Sequence, residues 1–289
     1  MTIANFFWHG SELSLYEEIC LKSFVKKNFI VNLYSYQKFK KINGVNNIDA
    51  NEIINQDFLN KYTHNSKKGC IAAFSDEFRI LLMKLNKGWW FDIDIICLKD
   101  ARDFDQLDNN KNIVAGYEDS NENISNGILK INNQEIVSTI LSEIKRYGTQ
   151  FSWGMIGPNL IKKIVKKYSF LKKEIVHESF FFPVNFSNYQ LLFIPNELDY
   201  ANSLFRDAYV CHIYNQILNR FSLPKNILPP KNSYLYELFI KIDPNLINQE
   251  CLPLDTYLSL TGKRKESISF FDNLKDLIPS FVRTLKKRF

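Results

Sequence analysis

The sequence lacks any apolar run of the roughly 18 residues that a membrane-spanning helix needs, so no segment is predicted to cross a membrane. No signal peptide is predicted, because Ser11, Glu12 and Glu17 interrupt the apolar residues near the start. The five cysteines are odd in number and form no CxxC pair, which favours free thiols in a reducing compartment. Repeats are also lacking. Together these absences predict a cytoplasmic globular protein.

Excess positive charge is concentrated at the end of the chain. The formal net charge is +6, and residues 263–289 hold eight Lys and Arg against three Asp and Glu, which gives +5. The body is therefore nearly neutral, which argues against a nucleic-acid partner, because such proteins spread Lys and Arg over a binding face. With 45% hydrophobic and 15% aromatic residues, the body can bury a sizeable core.

The N-terminal residues predict a strand, a helix and a second strand in succession. Residues 3–9 and 29–34 are apolar and strand-like, and apolar residues at helical spacing predict a helix over 14–25. A unit of this kind predicts a parallel sheet and an α/β fold. Later helices are predicted over 70–85, 136–147 and 159–168, and later strands over 113–117, 127–131 and 180–184.

Residues 88–98 predict an apolar strand that carries two carboxylates, Asp92 and Asp94, at alternate positions. Strand side chains alternate in direction, so both carboxylates are expected on the same side. Buried carboxylates need a partner or a cation, and oxygen ligands with open positions suit Mg²⁺ or Mn²⁺. An Asp-X-Asp triplet also arises by chance, and the alternative is a solvated turn.

Two further pairs of polar residues have a spacing that brings their side chains together. Asp76 and Arg79 lie three apart on the predicted helix 70–85, where the alternative is an ordinary surface ion pair. His212 and Asn215 also lie three apart. For His212 the alternative is a buried histidine that the backbone satisfies. Neither pair identifies a site by itself.

Several blocks of the chain follow the order found in one family of sugar-transferring enzymes. They lie at residues 7–10, 49–53, 72–79, 88–98, 126–128, 153–158, 212–215 and 230–235. Over roughly residues 3–240 the chain resembles bacterial glycosyltransferases, related to the family-32 enzymes with the DXD sugar-binding motif and to the α-1,4-glycosyltransferases. Two positions depart from the family pattern. Lys87 replaces one of two glycines before an aromatic pair, and Tyr214 replaces a tryptophan.

The resemblance implies a GT-A type, Rossmann-like α/β/α sandwich. A single nucleotide-binding domain would span residues 1–240, and a helical C-terminal extension would span 241–289. The implied enzyme is a metal-dependent, retaining hexosyltransferase that moves a hexose or N-acetylhexosamine from a UDP-sugar to an acceptor hydroxyl. Mn²⁺ or Mg²⁺ is the implied cofactor. The implied acceptor is a glycan or lipid-linked glycan in the synthesis of capsule, lipopolysaccharide or lipooligosaccharide.

The matched positions also imply a role for each candidate residue. Asp94 and His212 are the implied metal ligands. The residues implied at the reacting groups are Asp92, Asp94, Asn126 and Glu118. The residues implied to bind the donor are Phe7, Trp8, Asp76, Arg79, Asp92, Gly157 and Asn215. Of these, Phe7 and Trp8 would lie against uracil.

The last part of the chain predicts a basic amphipathic helix. Over about residues 270–289 the apolar side chains occupy one face, with most Lys and Arg at or beyond its edge and a kink at Pro279. Such a helix fits an anionic membrane surface, which would place the enzyme at the inner face of the cytoplasmic membrane. The alternative is a helix docked on the enzyme's own core.

Two other functions stay open at the level of sequence. A toxin-like transferase that glycosylates a host protein would share the same donor site. A nucleic-acid-binding or membrane-binding module would use only the basic tail. A nearly neutral body with one basic helix favours a membrane over nucleic acid as the partner of that tail.

Overall fold

The computed structural model describes residues 1–64, 67–68, 70–148, 150–152 and 154–262. In these residues the strands are β1 (Ile3–Trp8), β2 (Ile30–Ser35), β3 (Val45–Asp49), β4 (Thr63–His64), β5 (Lys67–Lys68), β6 (Trp89–Phe91), β7 (Ile95–Cys97), β8 (Ile113–Tyr117), β9 (Ile124–Ile131), β10 (Gln150–Phe151) and β11 (Val210–His212). The helices of the same part of the chain are α1 (Leu15–Lys26), α2 (Ile71–Lys84), α3 (Ala101–Asp108), α4 (Gln134–Tyr147), α5 (Pro158–Lys167), α6 (Glu178–Phe181), α7 (Leu198–Leu204), α8 (Asn215–Arg220), α9 (Tyr234–Ile242) and α10 (Leu254–Leu260).

The central sheet, as far as the structure describes the chain, has six strands in the order β3-β2-β1-β6-β9-β8. Strands β3, β2, β1 and β6 run parallel. Strands β9 and β8 run antiparallel to their neighbours, so the sheet is mostly rather than wholly parallel. The predicted strand–helix–strand unit is β1-α1-β2, and the predicted α/β fold class is confirmed.

Helices cover both faces of this sheet because its strands alternate their side chains between two cores. On β1, Phe7 packs with apolar residues of α2, α4 and α5, whereas Phe6 packs with residues of α1 and α3. On β6, Trp90 belongs to the first core, and Trp89 and Phe91 belong to the second. Strands buried on both faces carry continuous apolar runs, which is why these segments were visible in the sequence. The α/β/α layering implied by the resemblance is confirmed.

A third core is built mainly by residues that follow α6. It contains buried side chains of α8, α9 and α10, and it reaches back to α1 through Tyr16 and to β7 through Ile96. Leu246 and Tyr257 belong to it, so the chain just past residue 240 is packed against the rest of the structure. The predicted helix over 270–289 lies outside the described residues. Among the helices that the structure describes, none combines the length and the hydropathy that crossing a membrane requires.

Two local predictions are wrong. Residues 88–98 do not form one strand, because β6 ends at Phe91 and β7 begins at Ile95 in a different sheet, where it pairs with β11. Residues 180–184 do not form a strand, because the short helix α6 occupies Glu178–Phe181. Short, fully buried apolar runs do not distinguish a strand from a buried helical turn, which explains the second error.

The turn that leads into β6 depends on Gly88. Its φ of +110° is one that residues with a side chain rarely adopt, and an added Cβ would lie 2.8 Å from the carbonyl oxygen of Ile3. The buried Asn5 amide donates hydrogen bonds to the carbonyl oxygens of Lys87 (2.8 Å) and Trp89 (2.9 Å), which ties β1 to this turn. Lys87 is exposed and is not among the residues with a positive φ, so its departure from the family pattern is compatible with the same turn.

Substitution of Gly88 by alanine is therefore expected to lower the free energy of unfolding by about 3 kcal/mol, because it combines backbone strain with a steric conflict at Ile3. Urea denaturation measures the change. The matched control is Lys87→Ala at the neighbouring exposed position, which should stay within about 0.5 kcal/mol of the wild type. Equal stability of the two variants would contradict this account of the turn.

Candidate active site

A cavity of about 1160 Å³ opens at the carboxyl ends of β1 and β6. In α/β folds this end of the strands is where ligands bind. Every predicted site residue except Gly157 lines it, namely Phe7, Trp8, Asp76, Arg79, Asp92, Asp94, Glu118, Asn126, His212 and Asn215. The structure thus brings these residues together, while the role of each stays a prediction.

The two carboxylates of the Asp-X-Asp triplet lie in the turn between β6 and β7. Asp92 follows the last residue of β6 in the central sheet, and Asp94 precedes the first residue of β7 in the separate sheet with β11. The strand alternation expected from the sequence therefore does not orient them. Both nevertheless face the cavity, because the chain changes sheets at this point.

Asp94 is fixed by residues that follow β11. Its Oδ2 accepts a hydrogen bond from the backbone N–H of Asn215 (2.8 Å), and its Oδ1 lies 3.1 Å from His212 Nε2. The backbone N–H of Ile213 donates to the Asp94 carbonyl oxygen (2.9 Å). The antiparallel register of β11 on β7 sets His212 opposite Ile95, which explains why the two side chains meet.

The Asp94 and His212 side chains are 13% and 15% exposed, and each shifts the other's pKa. Burial pushes the pKa of Asp94 upward, but the charge and hydrogen bond of His212, together with the Asn215 N–H, hold it below its ordinary value. Burial pushes the pKa of His212 downward, but Asp94, Asp92 and Glu118 raise it overall. Both shifts favour the charged form of each group, so the two side chains attract each other when no cation is bound. Coordination of a cation by His212 would require loss of the imidazole proton.

The donor set fits a divalent cation that shares its coordination with a substrate. Carboxylate oxygen and imidazole nitrogen are both accepted by Mn²⁺, which also takes phosphate oxygens. His212 Nδ1 is buried without a hydrogen-bond partner among the described residues, so this ring has hydrogen-bonding capacity left over. Among the described residues, no group of three or more His, Cys, Asp and Glu side chains is arranged to hold a metal ion. A cation held by Asp94 and His212 would therefore need further ligands from a phosphate or water.

Arg79 is the centre of a second, deeper cluster. It is 4% exposed, and its guanidinium donates to the carbonyl oxygen of Asn126 (2.5 Å). The same group lies 3.4 Å from Asp76 Oδ1 and 3.3 Å from Asp92 Oδ1, and it stacks 4.6 Å above the Trp90 ring. The alternative of an exposed helical ion pair is therefore wrong for Asp76 and Arg79.

Asp76 is held between this arginine and the loop before α5. Its Oδ1 accepts a hydrogen bond from the Asn126 side-chain amide (2.7 Å). Burial raises the pKa of Asp76 to about 6, although Arg79 and Asn126 act in the opposite direction. The absence of a side chain at Gly157 leaves space for the Asp76 carboxylate, because an added Cβ would collide with it. Gly157 thus lies behind Asp76 rather than in the wall of the cavity.

The remaining predicted residues lie at other parts of the wall. Glu118 follows β8, and burial raises its pKa even though His212 and Ser125 act to lower it. Phe7 is 7% exposed and packs against Phe78 with ring centroids 4.8 Å apart, so most of its surface belongs to the core. Trp8 is partly exposed, with its Nε1 donating to the Glu12 carbonyl oxygen (3.1 Å).

Glu17 lies behind the cavity wall and pairs with Lys225, which lines the cavity, in an ion pair that the sequence did not predict. Glu17 on α1 is 1% exposed, and its Oε1 accepts hydrogen bonds from Lys225 Nζ (2.7 Å) and Asn215 Nδ2 (2.9 Å). Burial alone would raise the pKa of Glu17, but Lys225, Ser14 and Asn215 lower it overall. The sequence showed only a carboxylate in the first turn of α1, which already has an ordinary explanation as a capping residue.

Trp90 and Tyr214 are two further wall residues without a predicted role. Trp90 is buried, and its Nε1 donates to Asp92 Oδ1 (2.9 Å), which orients that carboxylate. Tyr214 has a left-handed backbone with φ of 57°, and its hydroxyl donates to the Val184 carbonyl oxygen (2.7 Å). Its ring lies 4.1 Å from that of His212. Trp153, the first residue of the family block at 153–158, lies outside the described residues.

A match to a known family covers part of the chain that builds this site. Residues 131–239, which are 109 of the 289, match the family described as "Alpha 1,4-glycosyltransferase conserved region". The matched region resembles the conserved region of the α-1,4-glycosyltransferases. It includes Gly157, His212 and Asn215, and the glycosyltransferase resemblance predicted from the sequence is confirmed. No curated protein matches the chain.

Solved glycosyltransferases resemble the chain at low identity. PaToxG glycosyltransferase is 15% identical, with 73% of this chain and 88% of that chain covered and a TM-score of 0.43. The galactosyltransferase LgtC, in complex with donor and acceptor sugar analogs, is 13% identical, with 88% and 98% covered and a TM-score of 0.44. Mouse xyloside xylosyltransferase 1 is 12% identical, with 72% and 93% covered and a TM-score of 0.38. The glycosyltransferase assignment rests on the matched region rather than on these likenesses.

Replacing Glu17 with glutamine should destabilise this glycosyltransferase-like fold by about 2 kcal/mol, because Lys225 is left partly buried without its counter-charge. The matched control is Glu18→Gln, since the neighbouring Glu18 is 35% exposed and pairs only loosely with Lys22 at 3.7 Å. That variant should change stability by less than about 0.5 kcal/mol.

The same pair predicts a pH dependence. The folded-state pKa of Glu17 lies below its ordinary value of 4.5, so its stabilisation is present above pH 4.5 and is lost as the pH falls through the folded value. Urea denaturation over this range should show the difference between wild type and Glu17→Gln shrinking toward acid pH. A difference that stays constant with pH would rule out the ion pair as its source.

Proposed function

We propose that this chain is a retaining, metal-dependent hexosyltransferase that uses a UDP-sugar as donor. The product would be a glycan of capsule, lipopolysaccharide or lipooligosaccharide. The single observation that supports this most is the meeting of Asp94 with His212 and Asn215, because it joins the Asp-X-Asp turn to the matched glycosyltransferase region in one cavity. A toxin-like transferase would differ in its acceptor, a host protein, and would share the donor chemistry.

The diphosphate of the donor would bind where positive charge and N–H groups already face the cavity. Lys225 and the side-chain amide of Asn215 stand beside Asp94 and His212, so both can contact phosphate oxygens. Lysine and asparagine donate hydrogen bonds to oxygen, and the lysine charge opposes the charge that develops on a leaving diphosphate. A divalent cation bound by Asp94 and His212 would supply additional charge neutralisation at the diphosphate.

The donor sugar would bind in the deeper part of the cavity. Asp76, Arg79 and Asn126 are 9%, 4% and 8% exposed and are already fixed by one another. Carboxylate, guanidinium and amide groups match the hydroxyls of a hexose in hydrogen-bonding capacity. Asp92, oriented by Trp90, would contact the sugar or the ribose. The partly exposed Trp8 would lie against uracil, with Phe7 as the core beneath it.

The reaction requires a new bond at the anomeric carbon and the loss of UDP. The acceptor hydroxyl oxygen would bond to the anomeric carbon, the bond from that carbon to the phosphate oxygen would break, and the hydroxyl proton would leave with UDP. Asn126 and Glu118 would lie near the reacting carbon. We assign no nucleophile, because attack and departure on one face of the sugar preserve the anomeric configuration without one.

The variant Asp94→Asn tests the proposal. Loss of its charge should lower UDP release from a panel of UDP-hexoses by about 10²–10³-fold, because charge stabilisation at the leaving group is lost. Release of UDP is measured with MnCl₂ and again with EDTA. A control, Asp105→Asn, removes an exposed carboxylate on α3 outside the cavity wall and should keep wild-type activity.

Thermal stabilisation by UDP with MnCl₂ provides a readout that is independent of turnover. A nucleotide at 100 times its Kd should stabilise the folded protein by about 2.7 kcal/mol. Asp94→Asn should lose the part of this stabilisation that depends on Mn²⁺. Unchanged turnover and unchanged metal dependence in Asp94→Asn would refute the assigned site.

The C-terminal tail extends the proposal to a membrane. Residues 263–289 lie outside the described part of the chain and carry a formal charge of +5. A basic amphipathic helix there would hold the enzyme near a lipid-linked acceptor. In flotation experiments the full chain should bind vesicles containing phosphatidylglycerol more than vesicles of phosphatidylcholine alone. A chain ending at residue 262 should bind neither, and equal flotation of the two chains would remove the membrane from this proposal.

A further inference from the structure

Phe186 is a large apolar side chain that is exposed and also lines the cavity. It is 43% exposed and is the first residue of a 3₁₀ segment, Phe186–Leu192. Most large apolar side chains of the described residues are buried. A single exposed apolar side chain is ordinary on a protein surface, but aromatic rings are typical of the walls of ligand pockets, which makes Phe186 a candidate ligand contact. The donor sites proposed above do not use it.

The position of Phe186 is fixed rather than incidental. The side-chain oxygen of Asn185 accepts hydrogen bonds from the backbone N–H groups of Ser187 (3.0 Å) and Asn188 (3.3 Å), which caps the segment. Tyr214 meets the Phe186 ring edge-on, with centroids 5.8 Å apart and planes at 90°. The Tyr214 hydroxyl donates to the Val184 carbonyl oxygen, so the chain before the ring is also held.

Tyr214 links this ring to the diphosphate end of the site. It lies in the chain between His212 and Asn215, and its ring contacts that of His212 at 4.1 Å. Because Phe186 packs against Tyr214, its ring has a defined position relative to the place where the donor's leaving group would bind. A second substrate that rests on Phe186 would therefore be held in register with the donor, as transfer between two bound molecules requires.

Depth separates the two substrate positions. The cluster proposed for the donor sugar, Asp76, Arg79 and Asn126, is at most 9% exposed, whereas Phe186 is 43% exposed. The cavity of about 1160 Å³ is larger than the about 300–1,000 Å³ that is typical for a site holding one small ligand. The donor sugar would lie at the buried cluster, which leaves the more exposed wall for the acceptor.

The wall beside Phe186 has the polar groups that a sugar needs. Gln216 and Asn219 on α8 are exposed, line the cavity and can donate to and accept from hydroxyls. Arg220 lies with its guanidinium 5.8 Å from the Phe186 ring. A pyranose ring presents C–H groups on one face and hydroxyls at its rim. An aromatic ring, whose face is electron-rich, is suited to that C–H face, and amides are suited to the rim.

We propose that Phe186 is the stacking platform of the acceptor subsite and binds the C–H face of a pyranoside, with Gln216 and Asn219 contacting its hydroxyls. The inference rests on the proposed function and narrows the acceptor to a glycan. A protein acceptor would present a peptide segment rather than a sugar ring to this wall.

The test compares Phe186→Ala and Phe186→Tyr with a matched control. Phe58 is equally exposed at 43% and also has a cation near its ring, Lys61 at 3.6 Å, but it does not line the cavity. Phe58→Ala therefore repeats the chemical change at an unrelated surface. The probes are methyl β-galactoside and methyl β-glucoside, added to the full chain with UDP and MnCl₂, and binding is followed by saturation-transfer NMR on the ring protons.

Saturation transfer to the C–H protons of at least one glycoside is expected for the wild type, for Phe186→Tyr and for Phe58→Ala. Phe186→Ala should weaken glycoside binding about tenfold. Glycoside binding equal to wild type in Phe186→Ala, or none in the wild type, would overturn the acceptor platform.

Stabilisation by UDP with MnCl₂, measured on the same samples, separates failure of this inference from failure of the proposed function. Its absence from the wild type would refute the proposed function whatever Phe186 does. Its loss only in Phe186→Ala would identify the ring as part of the nucleotide site and refute the acceptor role. Stabilisation retained in Phe186→Ala, together with weakened glycoside binding, supports both proposals.

Discussion

Buried charge at the carboxyl edge of the central sheet is the constraint on which the rest of the site depends. An ion removed from water is costly, and removing one partner of a buried pair typically costs about 3–5 kcal/mol. Four carboxylates at or beside the cavity are accordingly matched by cationic side chains. The pairs are Glu17 with Lys225, Asp94 with His212, and Asp76 and Asp92 with Arg79. The cavity can hold this much charge because each of these carboxylates has a cationic partner in the folded protein.

In two of these pairs the partners lie far apart in the sequence. Glu17 on α1 meets Lys225 after α8, and Asp94 meets His212 on β11. Both cations belong to the part of the chain that builds the third core, so packing of that core is what brings the charges to the sheet edge. Fixed dipoles and charges of this kind need no rearrangement when a charged substrate binds, which is the physical basis of electrostatic preorganisation.

Local patterns in the sequence sufficed for much of the fold and for the short-range part of the site. Apolar periodicity located β1, α1 and β2, and the spacing of three between Asp76 and Arg79 placed them side by side. The predicted single strand over 88–98 failed because the change of sheet at Asp92 and Asp94 depends on pairing with β11, which lies far along the chain. Apolar character alone carries no information about the pairing partner.

The long-range part of the site could not be predicted for a related reason. Glu17 has an ordinary local role as a capping residue, and Lys225 is one lysine among many in this sequence. Phe186 stands in an aromatic-rich segment, and only its exposure in the folded chain distinguishes it from the buried rings around it. What separates these residues from their neighbours is burial and contact, which appear only after the third core has packed on the sheet.

The Asp-X-Asp turn lies outside the matched region but contacts residues inside it, which supports a functional rather than an incidental role for the turn. The glycosyltransferase region begins at residue 131, so Asp92 and Asp94 lie outside it, whereas His212 and Asn215 lie inside it. The contacts from Asp94 to His212 at 3.1 Å and to the Asn215 N–H at 2.8 Å therefore join two observations that do not depend on each other. An Asp-X-Asp triplet with no function would most simply be a solvated turn, with its carboxylates in water. Here Asp94 packs against the histidine of the matched region, and the half-buried Asp92 lies beside Arg79. The desolvation cost of this arrangement is understandable if the cavity binds a charged substrate.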